Sequence, residues 1–386
     1  MSWNVIVNNA VRANLDNTYA RMIQSLLTDR KIKLESKTMI SERGTPQGGR
    51  ASQLLYRIGA NSLLTSLNSV NCTRTTAFAD DTAMVVSGGA EEELKTNARA
   101  AMRAVLEWAN QAEIQLNAAK TEIISVGQTR IEKLMIEESE VKVKRKLKYL
   151  GVLIDDKQTW KDHVEHLVNK TDRLLLRILP ICWSKGVLNL RDKLRLYRQV
   201  FLPMLTYGHE VWHKEIMKKK TLIESIEKSQ RRILRAITGA YRCASTAKLL
   251  EITNELPAEI ELRISDEVKR LPKEERVAKR EELSRKWRSE QESNYEMSAA
   301  FDPGQVKRKD TIWCMTETGP FRKFLAKIGK ADDEGCRLCG DATETAQHLL
   351  FECERARPEA KLWSEYDTNE FERKSTQLVK RMRELE

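Results

Sequence analysis

Two adjacent carboxylates form the pattern in this sequence with the clearest chemical potential. Asp80 and Asp81 separate two short runs that favour β-strand, Thr75–Phe78 and Ala83–Ser87. We interpret the runs as the strands of a hairpin and the acidic pair as its polar turn. Adjacent carboxylates repel each other unless a cation offsets the charge, and two-metal phosphoryl transfer requires carboxylates that lie close together. The pair is therefore a candidate Mg²⁺ site, with a solvated turn as the alternative.

A glycine-rich stretch lies upstream of the acidic pair. It reads Gly44-Thr45-Pro46-Gln47-Gly48-Gly49 and comes just before a helical pattern between Ser52 and Leu67. Glycine allows the backbone to approach a template or a nucleotide closely, and the free amides at the start of a helix attract phosphate. The alternative is an ordinary Gly/Pro turn ahead of a helix.

Near the end of the sequence, three cysteines and one histidine have the spacing of metal ligands. The pattern is Cys336-x2-Cys339-x8-His348-x4-Cys353. A Cys-x2-Cys turn lets both thiolates reach one tetrahedral Zn²⁺, and four protein ligands leave no open coordination position. The pattern therefore predicts a structural zinc rather than a catalytic one, with a few buried thiols as the alternative.

Two further histidine pairs have helical spacing, His163 with His166 and His209 with His213. Neither pair has a cysteine or carboxylate cluster at ligand spacing beside it. We therefore interpret both pairs as ordinary helix residues rather than as metal ligands.

The elements that would position these residues alternate between helix and strand in the first part of the chain. Helical periodicity covers residues 3–28 and 91–112, and we interpret Thr121–Val126 and Leu147–Leu153 as strands. The pattern is nearly all helical after that, so the expected fold class is α+β. We predict four parts: a sheet-and-helix domain at 1–155, a helical region at 156–262, a charged linker or exposed helix at 263–312, and a small C-terminal unit at 313–386.

Composition limits the location and the partners. The chain has 386 residues and a formal net charge of +11, which favours two or three domains and a polyanionic partner such as nucleic acid. The first residues do not resemble a signal peptide, and no apolar stretch approaches the ~18 residues of a membrane-spanning helix. Scattered cysteines indicate a reducing compartment. We expect an intracellular protein without a membrane partner.

The order of these motifs resembles the palm of reverse transcriptases from LINE-type retrotransposons, which lack long terminal repeats (non-LTR). The matching series is Gly44-Thr45-Pro46-Gln47-Gly48, a helix, Phe78-Ala79-Asp80-Asp81 in a hairpin, a second helix, Leu116–Glu122, and Tyr149–Asp155. Further stretches are similar to the thumb of that family: Leu202–Gly208, Val211-Trp212, Gln230–Arg232 and Ile237–Arg242. The resemblance implies a partial palm at 1–155, a helical thumb at 156–262 and a zinc knuckle within 313–386.

The resemblance also implies roles for individual residues. Asp80 would bind the catalytic Mg²⁺ with Asp81 beside it. Lys120 would lie near the leaving pyrophosphate, where an ammonium stabilises developing charge or donates a proton, although a solvated lysine before a strand is an equal alternative. The residues that would contact nucleotide, template or primer are Gly44, Pro46, Gln47, Gly48, Phe78, Tyr149, Leu150 and Gly151. The knuckle would hold template RNA or target DNA.

A further catalytic carboxylate is implied by the resemblance but is not recognised in the sequence. In the family, this Asp comes a few residues before a Ser-Trp or similar pair that starts a helix. Ser2-Trp3 would place it upstream of Met1, and Asp16 lies within or between helical segments. Each lost catalytic interaction typically costs ~3 kcal/mol or more. We therefore expect a truncated RNA-directed DNA polymerase that is inactive alone.

Two other functions compete with this expectation. The first is a catalytically dead module that binds nucleic acid through the thumb and the knuckle, and the missing Asp favours it for this chain alone. The second is a zinc-stapled interaction protein without affinity for nucleic acid. In a complete polymerase the partners would be an RNA template and a DNA primer or target. The basic run Lys142–Lys148 indicates either a nuclear localisation patch or a phosphate contact, and we expect a nuclear protein.

Overall fold

The structure is a computed structural model, and it describes most of the chain. The described residues are 1–34, 37–41, 43–46, 48–117, 120–136, 139–183, 188–289, 306, 308–356 and 366–385. They divide into two compact units, one of Met1–Tyr149 with Ile154–Gln158 and one of Leu150–Leu153 with Thr159–Glu386. Helices dominate both, and strands form only small sheets, so the expected α+β class is confirmed. The division into four parts stays a prediction.

The first unit contains nearly all the strand residues of the described chain. Its helices are α1 (Trp3–Arg12), α2 (Asn17–Leu27), α3 (Ser52–Asn68) and α4 (Glu91–Gln111). Its strands are β1 (Arg30–Leu34), β2 (Lys37–Ser41), β3 (Thr73–Phe78), β4 (Asp81–Val86), β5 (Ile123–Ile124), β6 (Lys133–Ile136), β7 (Ser139–Lys144), β8 (Lys146–Tyr149) and β9 (Val152–Asp155), the last of which passes the boundary between the units. The sheets are β1-β2, β3-β4, β5-β7-β6 and β8-β9.

Helices α3 and α4 build the largest core of the first unit. Val105 and Trp108 lie on the apolar face of α4 and are buried in one cluster with Leu63 and Leu67 of α3. The indole N–H of Trp108 donates to Ser62 Oγ at 3.0 Å, so the buried ring keeps a polar partner. The 91–112 periodicity therefore identified the face that packs.

A buried asparagine fixes α1 against α3. The side-chain amide of Asn9 donates to the carbonyl of Gly59 at 2.9 Å and contacts Ser62 Oγ at the same distance. Asp16 is the N-cap of α2, where its carboxylate accepts from the Thr18 N–H at 2.7 Å. Hydrogen bonding with the Thr18 side chain, and then with its backbone N–H, lowers the pKa of the Asp16 carboxyl group. The residue lies between two helices, as its sequence context indicated.

The second unit is mostly helical in its described part. Its helices are α5 (Lys161–Trp183), α6 (Leu190–Leu196), α7 (Leu202–Leu205), α8 (His209–Ile216), α9 (Lys220–Thr238), α10 (Thr246–Thr253), α11 (Ala258–Lys269), α12 (Arg276–Ser289), α13 (Lys309–Met315), α14 (Arg322–Lys327) and α15 (Thr368–Glu384). Two π-helical turns, Tyr197–Phe201 and His348–Glu352, and a 3₁₀ turn at Glu354–Ala356 complete it. None of the residues of α12 is buried, and residues 290–305 of the predicted linker lie outside the described ranges.

Helix α9 is the centre of the helical region. Its apolar face is buried, and Gln230 on that face is completely buried as well. The Gln230 amide donates to Tyr197 Oη and to the carbonyl of Leu256, both at 2.7 Å, and its oxygen accepts from the Ala258 N–H at 2.9 Å. Because a buried amide costs stability unless it is bonded, this network fixes the register of α9 against its neighbours.

Three predicted elements need correction. The helical pattern of 3–28 is two helices, because the chain turns between α1 and α2. The predicted strand Thr121–Val126 is only Ile123–Ile124. The predicted strand Leu147–Leu153 is a hairpin, because Leu150 and Gly151 both have positive φ angles, 46° and 86°, and reverse the chain between β8 and β9.

Among the described residues, no helix combines the length and the apolar character that crossing a bilayer would require.

Candidate functional site

The acidic pair lies at the tip of an exposed hairpin. Strands β3 and β4 pair antiparallel with Phe78 opposite Asp81, so Ala79 and Asp80 form a two-residue turn. Ala79 has a φ of 53°, a left-handed conformation that costs an L-residue roughly 1–2 kcal/mol. Both carboxylates are exposed, and the Phe78 ring is 65% exposed. The turn therefore presents two adjacent carboxylates to solvent, with strain stored at the residue before them.

Tyr56 is a neighbour of the pair that the sequence did not reveal. It lies on α3, and its pKa is raised first by burial and then by the negative charge of Asp80. Tyr56 is 24 positions from Asp80, and only the packing of α3 beside β3 brings them into electrostatic range. The helical sequence pattern around Tyr56 does not indicate that this residue lies near Asp80.

No third acidic side chain completes the site within the part of the chain that the structure describes. There, the single grouping of three or more potential metal ligands is the C-terminal cysteine-histidine cluster. Lys120 is exposed and forms no hydrogen bond or ion pair with Asp80 or Asp81 in the described contacts. Ala118 and Ala119 of the preceding motif lie outside the described residues.

The glycine-rich stretch is a turn anchored by side chains from two helices. The indole N–H of Trp3 donates to the carbonyl of Gly44 at 2.9 Å, and the hydroxyl of Ser52 donates to the carbonyl of Pro46. Gly44 and Gly48 have φ angles of 75° and 81°. Helix α3 begins only at Ser52, so the stretch precedes the helix rather than forming its first turn. Gln47 lies outside the described residues.

The predicted primer-contacting residues lie in the β8-β9 hairpin. Leu150 and Gly151 form its turn, and Tyr149 comes directly before them. The hydroxyl of Tyr207 donates to the carbonyl of Leu150 at 2.8 Å. A Cβ atom on Gly151 would lie 3.0 Å from the Tyr207 ring, and its φ angle is unfavourable for other residues. Tyr149 ends β8. The turn therefore requires glycine at 151 for two separate reasons.

The structure brings the four predicted zinc ligands together. Their ligand atoms all lie within 4.8 Å of one another. The Sγ atoms of Cys336 and Cys353 are 3.9 Å apart, and Cys339 Sγ is 3.4 Å from His348 Nε2. A tetrahedral zinc with bonds of about 2.3 Å to sulfur and about 2.0–2.1 Å to nitrogen would separate its ligand atoms by about 3.5–3.8 Å. The arrangement is compatible with zinc.

The backbone of the knuckle holds the first two ligands on one side. The N–H of Gly340 donates to the Cys336 carbonyl at 2.9 Å, and Gly340 has a φ of 81° that favours glycine. The Cys336 N–H in turn donates to the carbonyl of Ala342 at 2.7 Å. Gly335 and Thr343 form an isolated bridge that closes the loop. The turn thus directs both thiols of the Cys-x2-Cys pair towards His348.

The two knuckle thiols have different acidities. Burial raises the pKa of the Cys336 thiol to about 11. At Cys339, hydrogen bonds from the Asp341 backbone and from His348 outweigh desolvation and lower the pKa to about 7. Nδ1 of His348, the nitrogen that faces away from the thiols, lies 3.6 Å from a carboxylate oxygen of Glu352. Carboxylates in this position orient metal-binding histidines.

A buried ion pair supports the knuckle from the outside. Glu344 is completely buried, and its carboxylate accepts from the Arg337 guanidinium at 2.6 and 3.0 Å and from the backbone N–H groups of Arg337 and Arg322, both at 2.9 Å. Burial would raise the pKa of Glu344, but these hydrogen bonds outweigh it and the pKa is lowered. Arg337 also donates to the carbonyls of Pro320 and Met382 at 2.6 and 3.1 Å. The pair therefore connects the knuckle to α15.

The other histidine pairs have local partners. Nδ1 of His163 accepts from the Leu153 N–H at 3.2 Å, and burial lowers the pKa of His163. His213 Nε2 lies 3.3 Å from the carboxylate of Asp266, and burial lowers the pKa of His209. In the described ranges neither pair joins a third potential metal ligand.

A cluster of four arginines, which we call the α9 arginine cluster, lies in the second half of α9 and just beyond its end. It consists of Arg231, Arg232, Arg235 and Arg242. Burial lowers the pKa of Arg235, and the positive charges of the other three lower it further. Arg232 pairs with Asp172 at 2.6 Å, but the other three form no ion pair in the described part of the chain. Three such guanidinium groups make this surface suited to a polyanion.

The family model and the individual relatives both relate this chain to polymerase proteins of mobile elements. The family model described as reverse transcriptase (RNA-dependent DNA polymerase) matches residues 4–154. A retrovirus-related Pol polyprotein from type-1 retrotransposable element R1 of Nasonia vitripennis is 25% identical over 226 residues, which is 56% of this chain and 66% of the relative. The probable RNA-directed DNA polymerase from transposon X-element of Drosophila melanogaster is also 25% identical, over 61% of this chain and 27% of the relative.

Another relative extends the match across most of the chain. The Pol polyprotein from element R1 2 of Nasonia vitripennis is 24% identical over 357 residues, which is 80% of this chain and 85% of the relative. The chain thus spans about two thirds of the first relative and about a quarter of the X-element protein. No solved structure is significantly similar to the chain. Residues 4–154 are thus similar to reverse transcriptases, and most of the chain is similar to proteins of non-LTR retrotransposons.

Proposed function

We propose that this chain contributes to an RNA-directed DNA polymerase, which adds deoxynucleotides to a primer 3′-hydroxyl on an RNA template. The observation that carries the proposal is the Asp80-Asp81 pair, which lies at an exposed two-residue turn inside the segment that matches reverse transcriptases. Mg²⁺ binds few protein carboxylates and completes its shell with water and substrate phosphates, so an open acidic turn suits it.

In the proposed reaction, Asp80 and Asp81 would hold Mg²⁺ and keep its remaining positions accessible to substrate oxygens. Bound Mg²⁺ would stabilise negative charge on the attacking and leaving oxygens. Lys120 would stabilise the leaving pyrophosphate or protonate it. The turn at Gly44–Pro46 and the hairpin turn at Leu150-Gly151 would border the nucleotide and the primer. Each of these roles follows from matching the family motifs and from the exposure of the residues.

The chain alone supports a narrower function, nucleic-acid binding without catalysis. In the described residues the acidic pair has no third carboxylate, whereas two-metal catalysis requires more ligands than one pair provides. The α9 arginine cluster would bind the phosphate backbone, and the cysteine-histidine cluster would hold a structural Zn²⁺. The exposed basic side chains within Lys142–Lys148 would serve nuclear localisation or add a phosphate contact.

Primer extension tests both levels of the proposal. We expect the purified chain, given an RNA template, a DNA primer, deoxynucleotides and Mg²⁺, to extend no more primer than the Asp80→Ala/Asp81→Ala double variant. With Fe²⁺ in place of Mg²⁺, and with hydrogen peroxide as oxidant and ascorbate to reduce Fe³⁺ again, hydroxyl-radical cleavage should cut the chain near residues 78–82 in the unchanged protein and not in the double variant. Gel analysis of primer and mass spectrometry of the peptides provide the two measurements.

The outcomes separate the two functions. Extension that disappears in the double variant would show that the chain polymerises alone, and the narrower function would be wrong. Absence of local Fe²⁺ cleavage in the unchanged protein would contradict a metal site at Asp80 and Asp81. The exposed substitution Glu92→Ala on α4, whose carboxylate pairs with Lys95 at 3.0 Å, is a control that should leave both measurements unchanged.

Neutralising the α9 arginine cluster should weaken RNA binding. We expect Arg235→Gln/Arg242→Gln to reduce affinity for single-stranded RNA by about 10-fold or more at low salt. Each phosphate contact that is lost reduces the number of counterions released on binding. The slope of log affinity against log salt should fall by about 0.7 for each contact removed. Fluorescence anisotropy at several salt concentrations measures both quantities.

The control variant for this titration is Arg263→Gln. Arg263 is an exposed arginine on α11 that pairs with Glu259 at 2.6 Å, four residues away. It removes the same charge from a surface outside the cluster, so affinity and slope should stay close to those of the unchanged protein. Equal losses in both variants would mean that net charge, rather than the α9 arginine cluster, determines binding.

A further inference from the structure

A cavity beside α13 and α14 has features of a nucleotide site. It lies in the second unit, has a volume of about 470 Å³, and is lined by residues including Tyr241, Arg322, Phe324, Lys330 and Arg383. Small-molecule sites in proteins typically measure about 300–1,000 Å³. The volume therefore suits one nucleotide and excludes a duplex.

Aromatic rings form one wall of the cavity. The Tyr241 ring centroid lies 4.8 Å from that of Trp313 and 5.4 Å from that of Phe324. Trp313 and Phe324 are buried, whereas Tyr241 is 38% exposed. The carbonyl of Gly239, which ends α9, accepts from the Trp313 indole at 3.4 Å. Tyr241 therefore contacts two buried rings and also lines the cavity, and an aromatic side chain in such a position suits the stacking of a base.

Cations surround the aromatic wall. The Arg383 guanidinium lies 5.0 Å from the Trp313 ring centroid, and Arg322 makes two hydrogen bonds with Asp333, at 2.8 and 2.9 Å. Lys330 lines the cavity, is exposed and forms no ion pair in the described part of the chain. These cationic groups would contribute nothing to the binding of an apolar ligand. They would bind the phosphate group of an unpaired nucleotide.

One carboxylate gives the lining a complementary acceptor. Asp332 lines the same cavity as Lys330, and hydrogen-bond acceptors of this type suit the exocyclic amino groups of bases. The cavity thus combines a ring for stacking, cations for phosphate and an acceptor for a base edge. Proteins that bind single strands recognise them with this combination of groups.

We propose that this cavity binds one unpaired nucleotide of a single-stranded nucleic acid, with the base against Tyr241 and the phosphate near Lys330. The inference rests on the proposed function, because it requires that the chain binds nucleic acid. It goes further by assigning a base-binding position to residues other than the α9 arginine cluster and the cysteine-histidine ligands, although Tyr241 directly precedes Arg242 of that cluster. RNA and DNA both supply an unpaired nucleotide, so the experiment includes each.

Binding of abasic strands tests the proposal. Anisotropy is measured with labelled single-stranded RNA and DNA, with the same strands made abasic at every position, and with a duplex of equal length. We expect removal of the bases to weaken binding by about 5-fold or more, since stacking of one base on an aromatic side chain has an effect of this size. Tyr241→Leu should weaken binding to the normal strand by a similar factor and leave duplex and abasic binding unchanged, whereas Tyr241→Phe should retain affinity.

A second variant and a cross-link keep the test decisive even if the Tyr241→Leu protein does not fold. Lys330→Gln changes an exposed residue and should weaken binding of normal strands by about 3-fold. A strand containing 5-iodouracil should cross-link to the peptide that contains Tyr241. A stronger effect with RNA than with DNA would assign the site to RNA, and the reverse would assign it to DNA.

The possible failures are distinguishable. If normal and abasic strands bind equally well and the cross-link maps elsewhere, the cavity inference is wrong while the proposed nucleic-acid binding stands. If no strand binds at any salt concentration, the proposed function is wrong and the inference fails with it.

Discussion

Replacing Cys336 by serine should abolish stoichiometric zinc binding and unfold the loop between residues 333 and 356. Serine keeps the size of the side chain but removes a thiolate, which zinc strongly prefers. Apparent binding free energies of structural zinc sites are about 10–16 kcal/mol at neutral pH, which exceeds the stability of many whole domains. Metal content of the purified protein and hydrogen exchange of the 333–356 amides measure the two effects.

The structure also predicts where the unfolding should stop. Helices α13 and α15 pack together, and both bury apolar residues, among them Ile312 and Val379. Their amides should therefore keep slower exchange than the knuckle after zinc is lost. Chelation of zinc from the unchanged protein should give the same pattern as Cys336→Ser.

The control for this variant is Cys243→Ser, which changes an exposed thiol outside the cluster. It should bind one equivalent of zinc and exchange like the unchanged protein. Zinc bound at full stoichiometry by Cys336→Ser, or no zinc in the unchanged protein, would contradict the assignment of this cluster.

Features that depend on neighbouring residues could be predicted from the sequence. The turn with Asp80 and the Cys-x2-Cys knuckle each span only a few positions, so residue type and spacing determine most of their geometry. The amphipathic helix α4 was also predictable, because its periodicity directly reflects which face is buried. These local signals were sufficient to indicate the resemblance to reverse transcriptases and the candidate ligands.

Features that depend on distant packing were not predictable. Leu150 looked like part of a continuous strand, since leucine rarely adopts a positive φ angle, yet the Tyr207 hydroxyl binds its carbonyl from 57 positions away. Strands β1 and β2 were missed because each has only five residues, and lysines on both sides of Ile32 in β1 weaken its strand signal. Tyr56 and the α9 arginine cluster acquire their surroundings only when the helices pack.

The Arg337–Glu344 pair is the clearest case of a feature hidden from the sequence. The two residues are seven positions apart in a loop with several other charges, and nothing in their spacing indicates burial. The structure places Glu344 out of solvent completely and leaves only 11% of the Arg337 side chain exposed. A buried ion pair is sensitive to the loss of one partner, because the other is left as an uncompensated charge.

Glu344→Ala should therefore destabilise the C-terminal region by about 3–5 kcal/mol. The variant also removes the acceptor for the backbone N–H groups of Arg322 and Arg337. Urea-dependent hydrogen exchange of the amides in residues 309–356, with zinc present at saturation, measures the loss. Glu384→Ala is the matched control, since that glutamate is 65% exposed in a long pair with Lys380 and should change stability by less than about 1 kcal/mol.

A double variant separates the stability that the ion pair contributes from the cost of burying one charge without its partner. Arg337→Met/Glu344→Leu removes both charges and replaces them with apolar groups of similar volume, so it should be less destabilised than Glu344→Ala. Arg337 also donates to the carbonyls of Pro320 and Met382, and these acceptors would lose their partner in the double variant. If the double variant is as unstable as Glu344→Ala, the contacts to α15 rather than the ion pair stabilise the knuckle, and the role assigned to Glu344 is wrong.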